Sequence, residues 1–161
     1  EVPKDLVYTG KYRLTDTVKG CPLTVGKLVL SPTRTYAPVV RAMLQEHRGD
    51  IRGMIHCSGG GQTKILHFID KLHVVKDNLF ETPLLFRIIQ RESQTPWREM
   101  YSVFNMGHRM ELYVDSEAVA DDLIRISKSF GVDAQVVGRV EAADKASVTI
   151  THQNGTFDYY K

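Results

Sequence analysis

Four small residues, Ser58-Gly59-Gly60-Gly61, follow a short apolar run and carry the strongest chemical signal of the sequence. Glycine reaches positive φ without steric cost, and successive glycines let an anion approach the backbone closely. Apolar residues at helical spacing come next, so free N–H groups and the helix dipole at Gly61-Gln62-Thr63 favour negative charge. The pattern therefore predicts a phosphate-binding loop, with a plain tight turn as an alternative of equal weight. It matches neither a Walker A loop nor a dinucleotide G-x-G-x-x-G fingerprint.

His56 and Cys57 precede this loop at neighbouring strand positions, so their side chains point to opposite faces and cannot form a nucleophilic pair. His56 lies at the carboxyl end of a strand, where open sheets gather ligands. A histidine that is hydrogen-bonded for packing is the alternative, which its spacing alone slightly favours. Cys57 is predicted to be a small buried hydrophobe, and both Cys57 and Cys21 are predicted to be reduced thiols. Because no histidine shows ligand spacing, we predict no metal site built by this chain alone.

Three further side chains offer hydrogen bonds or charge. Asn105 lies where a helix gives way to a strand, so it either caps that junction or directs its amide into a cleft. Arg34 lies on a rigid segment before a helix and suits recognition of phosphate or carboxylate. Lys64 lies in the first turn after the glycines, where it adds charge to the loop or, more simply, is solvated.

The elements that must position these residues alternate between strands and helices, which predicts an α+β or α/β layered sheet. Residues 28–161 are predicted to form the domain, and residues 1–27, rich in Gly and Pro, a linker segment. Predicted strands span 51–56, 72–76, 108–114, 133–140, 147–151 and 156–160; predicted helices span 39–44, the segment after the glycines, 83–91, 96–104 and 116–130.

Two details of these elements are specific enough to check. In the strand after His108, the residues Met110, Leu112 and Val114 alternate with Arg109, Glu111 and Tyr113, which predicts one dry face and one polar face. Asn154-Gly155 is the pair favoured by a two-residue hairpin turn.

Composition excludes several classes of function. The 161 residues are 42% hydrophobic and 25% charged, as expected for one compact domain. A net charge of +2 leaves no general attraction to nucleic acid or anionic lipid, so any basic site must be local. Neither a membrane-spanning apolar run nor the apolar core of a secretory signal is present in the sequence. We therefore predict a cytoplasmic protein with no nucleic-acid or membrane partner.

The ordered motifs together resemble the aminoimidazole ribonucleotide synthetase family, also called phosphoribosylformylglycinamidine cyclo-ligase. Members typically read L-x-P-T-R-I-Y, H-I-T-G-G-G and M-x-x-x-F-N-x-G, and the resemblance covers about residues 28–142. Ser58 replaces a common threonine and keeps its hydroxyl, while His108-Arg109 follow Gly107 where small residues are common. The matching blocks here are Leu30-Ser31-Pro32-Thr33-Arg34-Thr35-Tyr36, Gly53-Met54-Ile55-His56-Cys57-Ser58-Gly59-Gly60-Gly61, Glu99-Met100-Tyr101 and Phe104-Asn105-Met106-Gly107.

The resemblance implies the C-terminal domain of an ATP-dependent enzyme that closes the imidazole ring of aminoimidazole ribonucleotide. It also implies an α+β fold, a layered α/β sandwich in which a mixed, mostly antiparallel sheet is packed by helices. It implies that ATP and Mg²⁺ are held mostly by an N-terminal ATP-binding domain, so this domain alone would be inactive. Implied partners are that domain, the ribonucleotide substrate and a second copy of the full-length chain. The implied catalytic residues are His56 and Asn105, and the implied substrate-phosphate ligands are Ser58, Gly59, Gly60, Gly61 and Arg34.

Two alternatives stay open at the level of sequence. One is a stand-alone module that binds a nucleotide or phosphorylated metabolite and regulates a partner. The other is a different member of the same superfamily, such as a thiamine-monophosphate kinase, a selenophosphate synthetase or a hydrogenase maturation protein.

Overall fold

The computed structural model describes Pro3 and residues 10–32 and 34–161, so Thr33 of the first motif and residues 4–9 of the predicted linker lie outside the described residues. Helices pack against two sheets, which confirms the predicted α+β class. The helices are α1 (Val25–Val29), α2 (Ala37–His47), a 3-10 helix (Gly61–His67), α3 (Leu84–Ser93), α4 (Trp97–Val103) and α5 (Glu117–Ser129). The strands are β1 (Ile51–His56), β2 (Leu72–Lys76), β3 (Met110–Val114), β4 (Gly138–Ala142), β5 (Ser147–His152) and β6 (Gly155–Tyr160).

The strands divide into a two-stranded ribbon and a four-stranded sheet. In the ribbon, β1 pairs antiparallel with β3, and His56 lies opposite Met110. The larger sheet has the order β4-β2-β5-β6, in which β2 and β5 run parallel while the other two pairings are antiparallel. The sheets are therefore mixed and mostly antiparallel, as predicted.

Helices α2 and α5 cover one face of the ribbon. Their apolar side chains form a cluster that includes Leu112 and Val114 of β3. The predicted start and stop of α5 are confirmed, because Ser116 Oγ accepts from the N–H of Val119 at 3.3 Å and Gly131 has a φ of +67°. The buried members of this cluster are Val39, Met43, Leu123 and Ile126.

The other face of the ribbon belongs to the main core, which β2, β5, β6, the 3-10 helix and α4 complete. Because β3 is covered on both sides, the prediction that Glu111 lies on a solvated polar face is wrong. The largest apolar side chains of this core that are fully buried are Met100, Tyr101, Val148 and Ile150.

Two predicted boundaries differ from the structure. A strand over 133–140 is wrong, because the paired strand begins only at Gly138. The preceding backbone instead bonds to Asn78, whose Nδ2 donates to Val136 O at 2.6 Å and whose N–H donates to Val137 O at 3.1 Å. The hairpin turn is shifted by one residue, since His152 pairs with Gly155 at a φ of +125°.

The first described residues make contacts of their own. Gly26 N–H donates to Leu14 O at 2.8 Å, and Thr17 pairs with Thr24. Helix α1 spans the predicted boundary at residue 27, and the division into linker and domain stays a prediction. Within the described ranges, every helix is too short or too polar to cross a membrane.

Candidate functional site

The glycine loop (residues 58–61) has a backbone conformation that residues other than glycine rarely adopt. Gly59, Gly60 and Gly61 have φ values of +60°, +93° and +48°. A Cβ on Gly61 would lie 2.5 Å from Phe104 O, whereas one on Gly59 would meet open space. Gly61 is thus required for close packing, and the two glycines before it shape an open surface.

The backbone donors of the loop are only partly paired among the described residues. Ser58 N–H donates to His56 O at 2.8 Å, but the N–H groups of Gly59 and Gly60 have no acceptor among the described residues. Lys64 turns back onto the loop, where its Nζ donates to Ser58 O at 2.5 Å. Lys64 is half-buried and adds a positive charge beside the backbone donors of the loop.

His56 lies beside this loop with its ring exposed. Its Nδ1 is hydrogen-bonded to Ser58 Oγ at 2.9 Å, and its ring meets the edge of Tyr36 at a centroid distance of 6.3 Å. Cys57 faces the opposite way and is only 3% exposed, as predicted. Burial, together with the charge of Glu111, raises the pKa of the Cys57 thiol to about 12. A thiolate is negligible at neutral pH, so nucleophilic chemistry at Cys57 is disfavoured.

Asn105 closes a turn between α4 and β3. Its Oδ1 accepts from Gly107 N–H at 3.1 Å, its backbone oxygen accepts from His108 N–H at 3.2 Å, and Met106 between them has a φ of +51°. The side-chain oxygen is thus engaged in the junction that the sequence suggested. The Nδ2 amide has no acceptor in the described part of the chain, which leaves it available as a donor.

An open groove of about 1240 Å³ runs beside the ribbon. Arg34 and Asn105 line this groove. Neither His56 nor the glycine loop is among the described residues that line it. Tyr36 joins the two areas because it lines the groove and contacts the ring of His56. Arg34 Nη1 donates to Gly131 O at 3.5 Å, at the end of α5. The predicted site residues therefore form two neighbouring groups, the glycine loop with His56 and the groove with Arg34 and Asn105.

Beneath the glycine loop lies a buried set of polar residues that the sequence analysis missed. Lys76 ends β2 at 1% exposure, and its Nζ donates to Gln62 O at 2.6 Å and to Glu111 Oε1. Glu111 also contacts His108 Nε2 at 2.8 Å and accepts from Tyr113 OH at 2.7 Å. We call Gln62, Lys76, His108, Glu111 and Tyr113 the polar network.

Charge in the polar network is balanced locally. Burial works against ionisation of Glu111, but the Lys76 ammonium and the hydrogen-bonded His108 outweigh it and lower its pKa to about 2. Burial and the same carboxylate raise the pKa of the Tyr113 hydroxyl. The network is therefore built around an ionised glutamate and its lysine partner.

Cys57, His108 and Glu111 also bring potential metal-ligand atoms within 4.8 Å of one another. No ligand spacing links all three in the sequence, because Cys57 follows β1, whereas His108 precedes β3 and Glu111 lies in it. The Glu111 carboxylate already has Lys76 as its cationic partner, and the Cys57 thiol holds its proton. The absence of a metal site stays a prediction.

Little in the sequence could have revealed this network. Lys76 ends an apolar strand, a position where lysine usually reaches solvent, and Glu111 lies on the alternating polar face of β3. The two residues are separated by 35 positions and lie in different sheets, so only the tertiary fold brings them together.

Comparison with known proteins gives a consistent result. The family model described as "AIR synthase related protein, C-terminal domain" matches residues 13–151. A protein named phosphoribosylformylglycinamidine cyclo-ligase from Methanocaldococcus jannaschii is 37% identical over 117 residues, which cover 73% of this chain and 33% of that protein. The proteins of the same name from Carboxydothermus hydrogenoformans and Syntrophus aciditrophicus are 34% and 32% identical and cover 88% and 93% of the chain. The chain spans between a third and a half of the length of these relatives, at 33%, 41% and 44%.

Proposed function

The chain belongs to the family of AIR synthase related proteins, as the C-terminal domain, and we propose that it supplies one wall of the active site of an ATP-dependent phosphoribosylformylglycinamidine cyclo-ligase. The full-length enzyme would convert formylglycinamidine ribonucleotide to aminoimidazole ribonucleotide. The observation that carries this proposal is the left-handed glycine loop, held against the Asn105 turn in a chain whose relatives bear that name.

The glycine loop is the proposed binding site for the substrate phosphate. The N–H groups of Gly59 and Gly60 and the Ser58 hydroxyl offer donors, and Lys64 adds a positive charge. The helix that follows is a 3-10 helix of seven residues, so loop donors and charge, rather than a long helix dipole, support this assignment. Arg34 is the proposed second ligand for substrate anionic groups, from within the groove.

His56 and Asn105 are the proposed catalytic side chains. The hydrogen bond between His56 Nδ1 and Ser58 Oγ orients an exposed ring, which suits proton exchange or hydrogen bonding with a bound substrate. The turn holds Asn105 at the groove with an amide that can donate to a developing negative charge.

ATP and Mg²⁺ would activate the formyl oxygen of the substrate by phosphoryl transfer. The one group of three potential metal ligands among the described residues includes a protonated thiol and a carboxylate paired with lysine, which does not fit Mg²⁺, an ion that prefers oxygen ligands. We therefore propose that an N-terminal domain of the full-length protein holds most of the contacts to ATP and Mg²⁺. We further propose that the full-length protein is a homodimer in the cytoplasm.

Substitution of the loop in the full-length protein tests this function. Gly60→Asp should abolish formation of aminoimidazole ribonucleotide, because it places a negative side chain at a φ of +93° in the proposed phosphate site. Gly20→Asp is the matched control, since Gly20 has a similar φ of +82° and open space around it, away from the loop. Undiminished turnover by the Gly60 variant would remove the loop from the mechanism. A full-length protein that forms no product would refute the cyclo-ligase function.

A further inference from the structure

We propose that the buried residues Gln62, Lys76 and Glu111 are positioning residues for the site described above. Their hydrogen bonds hold the glycine loop against the Asn105 turn, so that phosphate-binding and catalytic groups keep a fixed separation. The expected effect on catalysis rests on the proposed function. The geometry of the inference rests on contacts among the described residues.

Lys76 is the centre of this arrangement. Its ammonium carries three protons, and three acceptors surround it: Gln62 O at 2.6 Å, Gln62 Oε1 at 3.3 Å and Glu111 Oε1. Because each proton has an acceptor, the lysine fixes the start of the 3-10 helix relative to β2 and β3. A solvated lysine, which samples many rotamers, would impose no such constraint.

Gln62 joins the glycine loop directly to the Asn105 turn. It follows Gly61 in the chain and is fully buried. Its Nε2 donates to Asn105 O at 2.5 Å and to His108 O at 3.3 Å, which uses both amide protons. A single side chain thus connects the two parts of the proposed site.

Glu111 completes the connection on β3. It binds Lys76 and His108 through Oε1 and Tyr113 through Oε2. No buried side-chain nitrogen or oxygen within the described residues lacks a hydrogen-bond partner. In the ribbon, Glu111 lies opposite Ile55, the residue before the proposed catalytic His56.

The chemistry of the network indicates positioning rather than stabilisation. Burying a lysine and a glutamate costs desolvation free energy that an apolar set of similar volume avoids. Directional hydrogen bonds, however, specify distance and angle between elements more narrowly than apolar contacts do. A Cβ on Gly61 would lie too close to Phe104 O, so the glycine loop and the Asn105 turn are packed tightly against each other. A small displacement of either would move the donors of the loop relative to the Asn105 amide.

Gln62→Met in the full-length protein is the first test, because methionine keeps the shape of the side chain but removes the bridging amide. We expect kcat/KM to fall by about a hundredfold, with most of the loss in kcat, as for a displaced catalytic group. Ile150→Val is the matched control, since Ile150 is fully buried in β5 opposite Lys76 but its apolar side chain makes no hydrogen bond to the network. Its kcat/KM should stay within about twofold of the unsubstituted enzyme because it alters packing without altering the loop.

A double substitution separates positioning from stability. Lys76→Met combined with Glu111→Leu removes both charges, and such apolar replacement of a buried pair commonly preserves folding. A positioning role predicts normal resistance to urea with kcat about a hundredfold lower. Normal resistance with unchanged kcat would overturn the proposal. If the double variant does not fold, Glu111→Gln is measured in the same way, and undiminished kcat in that variant overturns the proposal as well.

Nuclear magnetic resonance of this chain tests, independently of catalysis, whether Gln62 holds the glycine loop and the Asn105 turn in place. In Gln62→Met, the amide hydrogens of Gly59, Gly60 and Asn105 should shift and exchange with solvent faster, whereas Ile150→Val should leave them unchanged. Unaltered amides in the Gln62 variant would overturn the inference even if the cyclo-ligase function holds. Conversely, an inactive full-length enzyme with altered loop amides in the variant would refute the function and support the network.

Discussion

The glycine loop and the polar network lie in contact, yet they use their polar groups in opposite ways. In the loop region, His56 and Ser58 are exposed, and two glycine N–H groups have no acceptor among the described residues. In the network, Lys76 and Glu111 are almost fully buried and bind each other. One region keeps donors available for a ligand, and the other uses all of them internally.

This difference follows from desolvation. A buried polar group without a partner costs free energy, so a network inside the core must satisfy every member. An exposed group is satisfied by water and can exchange that water for a ligand. A change that leaves one partner of the network buried and unpaired should therefore lower stability, whereas changes in the loop should act first on binding and turnover.

Removal of the Glu111 carboxylate should have the largest effect on stability. Glu111→Ala leaves the Lys76 ammonium buried without its counterion, and we expect a loss of about 3–5 kcal/mol in the free energy of unfolding by urea. Glu81→Ala is the control, because Glu81 forms an exposed ion pair with Arg87 at 3.0 Å and should cost less than about 1 kcal/mol. Equal losses in the two variants would contradict the distinction.

Acid should remove the stabilisation that ionised Glu111 provides. Burial opposes its ionisation, but Lys76 and His108 prevail and lower its pKa from 4.5 to about 2. The unfolded chain binds this proton more tightly, so the stabilisation is complete well above pH 4.5 and is lost as the pH falls towards 2. Between pH 7 and pH 3 we expect the folded protein to lose about 2 kcal/mol more than Glu111→Gln does, measured by urea unfolding at each pH. The same loss in both proteins would argue against a lowered Glu111 pKa.

Gly60→Ala tests the backbone conformation of the glycine loop, and its expected effect on stability is smaller than that of Glu111→Ala. An alanine at a φ of +93° should cost about 1 kcal/mol in the free energy of unfolding. Gly53→Ala in β1 is the control, because its Cβ would meet Tyr113 at an ordinary 3.7 Å and its φ is not in the left-handed region. Denaturation should show Gly53→Ala within about 0.5 kcal/mol of the unsubstituted chain. A loss at Gly53 as large as that at Gly60 would mean that φ is not the cause.

His56→Ala should have the smallest effect on stability. Its ring is exposed, so its loss should change the free energy of unfolding by less than about 0.5 kcal/mol. The same substitution at His108, whose ring is buried against Glu111, should cost several times more. Urea unfolding of the pair checks this, and a larger loss at His56 than at His108 would reverse the comparison.

Most elements could be predicted because they depend on neighbours in the chain. β1 and β2 begin and end where their apolar runs do, and α5 is defined by Ser116 and Gly131. The strand predicted over 133–140 failed because Asn78, far away in sequence, binds the carbonyl groups of Val136 and Val137. Long-range competition for backbone hydrogen bonds leaves no local pattern.

The candidate site likewise combines features that the local sequence predicts with contacts that it does not. The left-handed glycines and the turn at Asn105 were visible as sequence motifs, since both depend on local backbone chemistry. Glu111 was expected on a polar face, because its partner Lys76 lies on another segment. Alternation along β3 shows that two faces exist, but it does not show that both are buried.

The sequence by itself determined the family, the fold class and the position of the glycine loop, because ordered motifs and local backbone preferences carry that information. The tertiary structure alone decided that Lys76, Gln62, His108 and Glu111 meet beneath the loop, and that Arg34 shares a groove with Asn105 while His56 lies outside it. The physical reason is that burial and the pairing of charges depend on which segments pack together. Only the folded chain brings residues tens of positions apart within hydrogen-bonding distance.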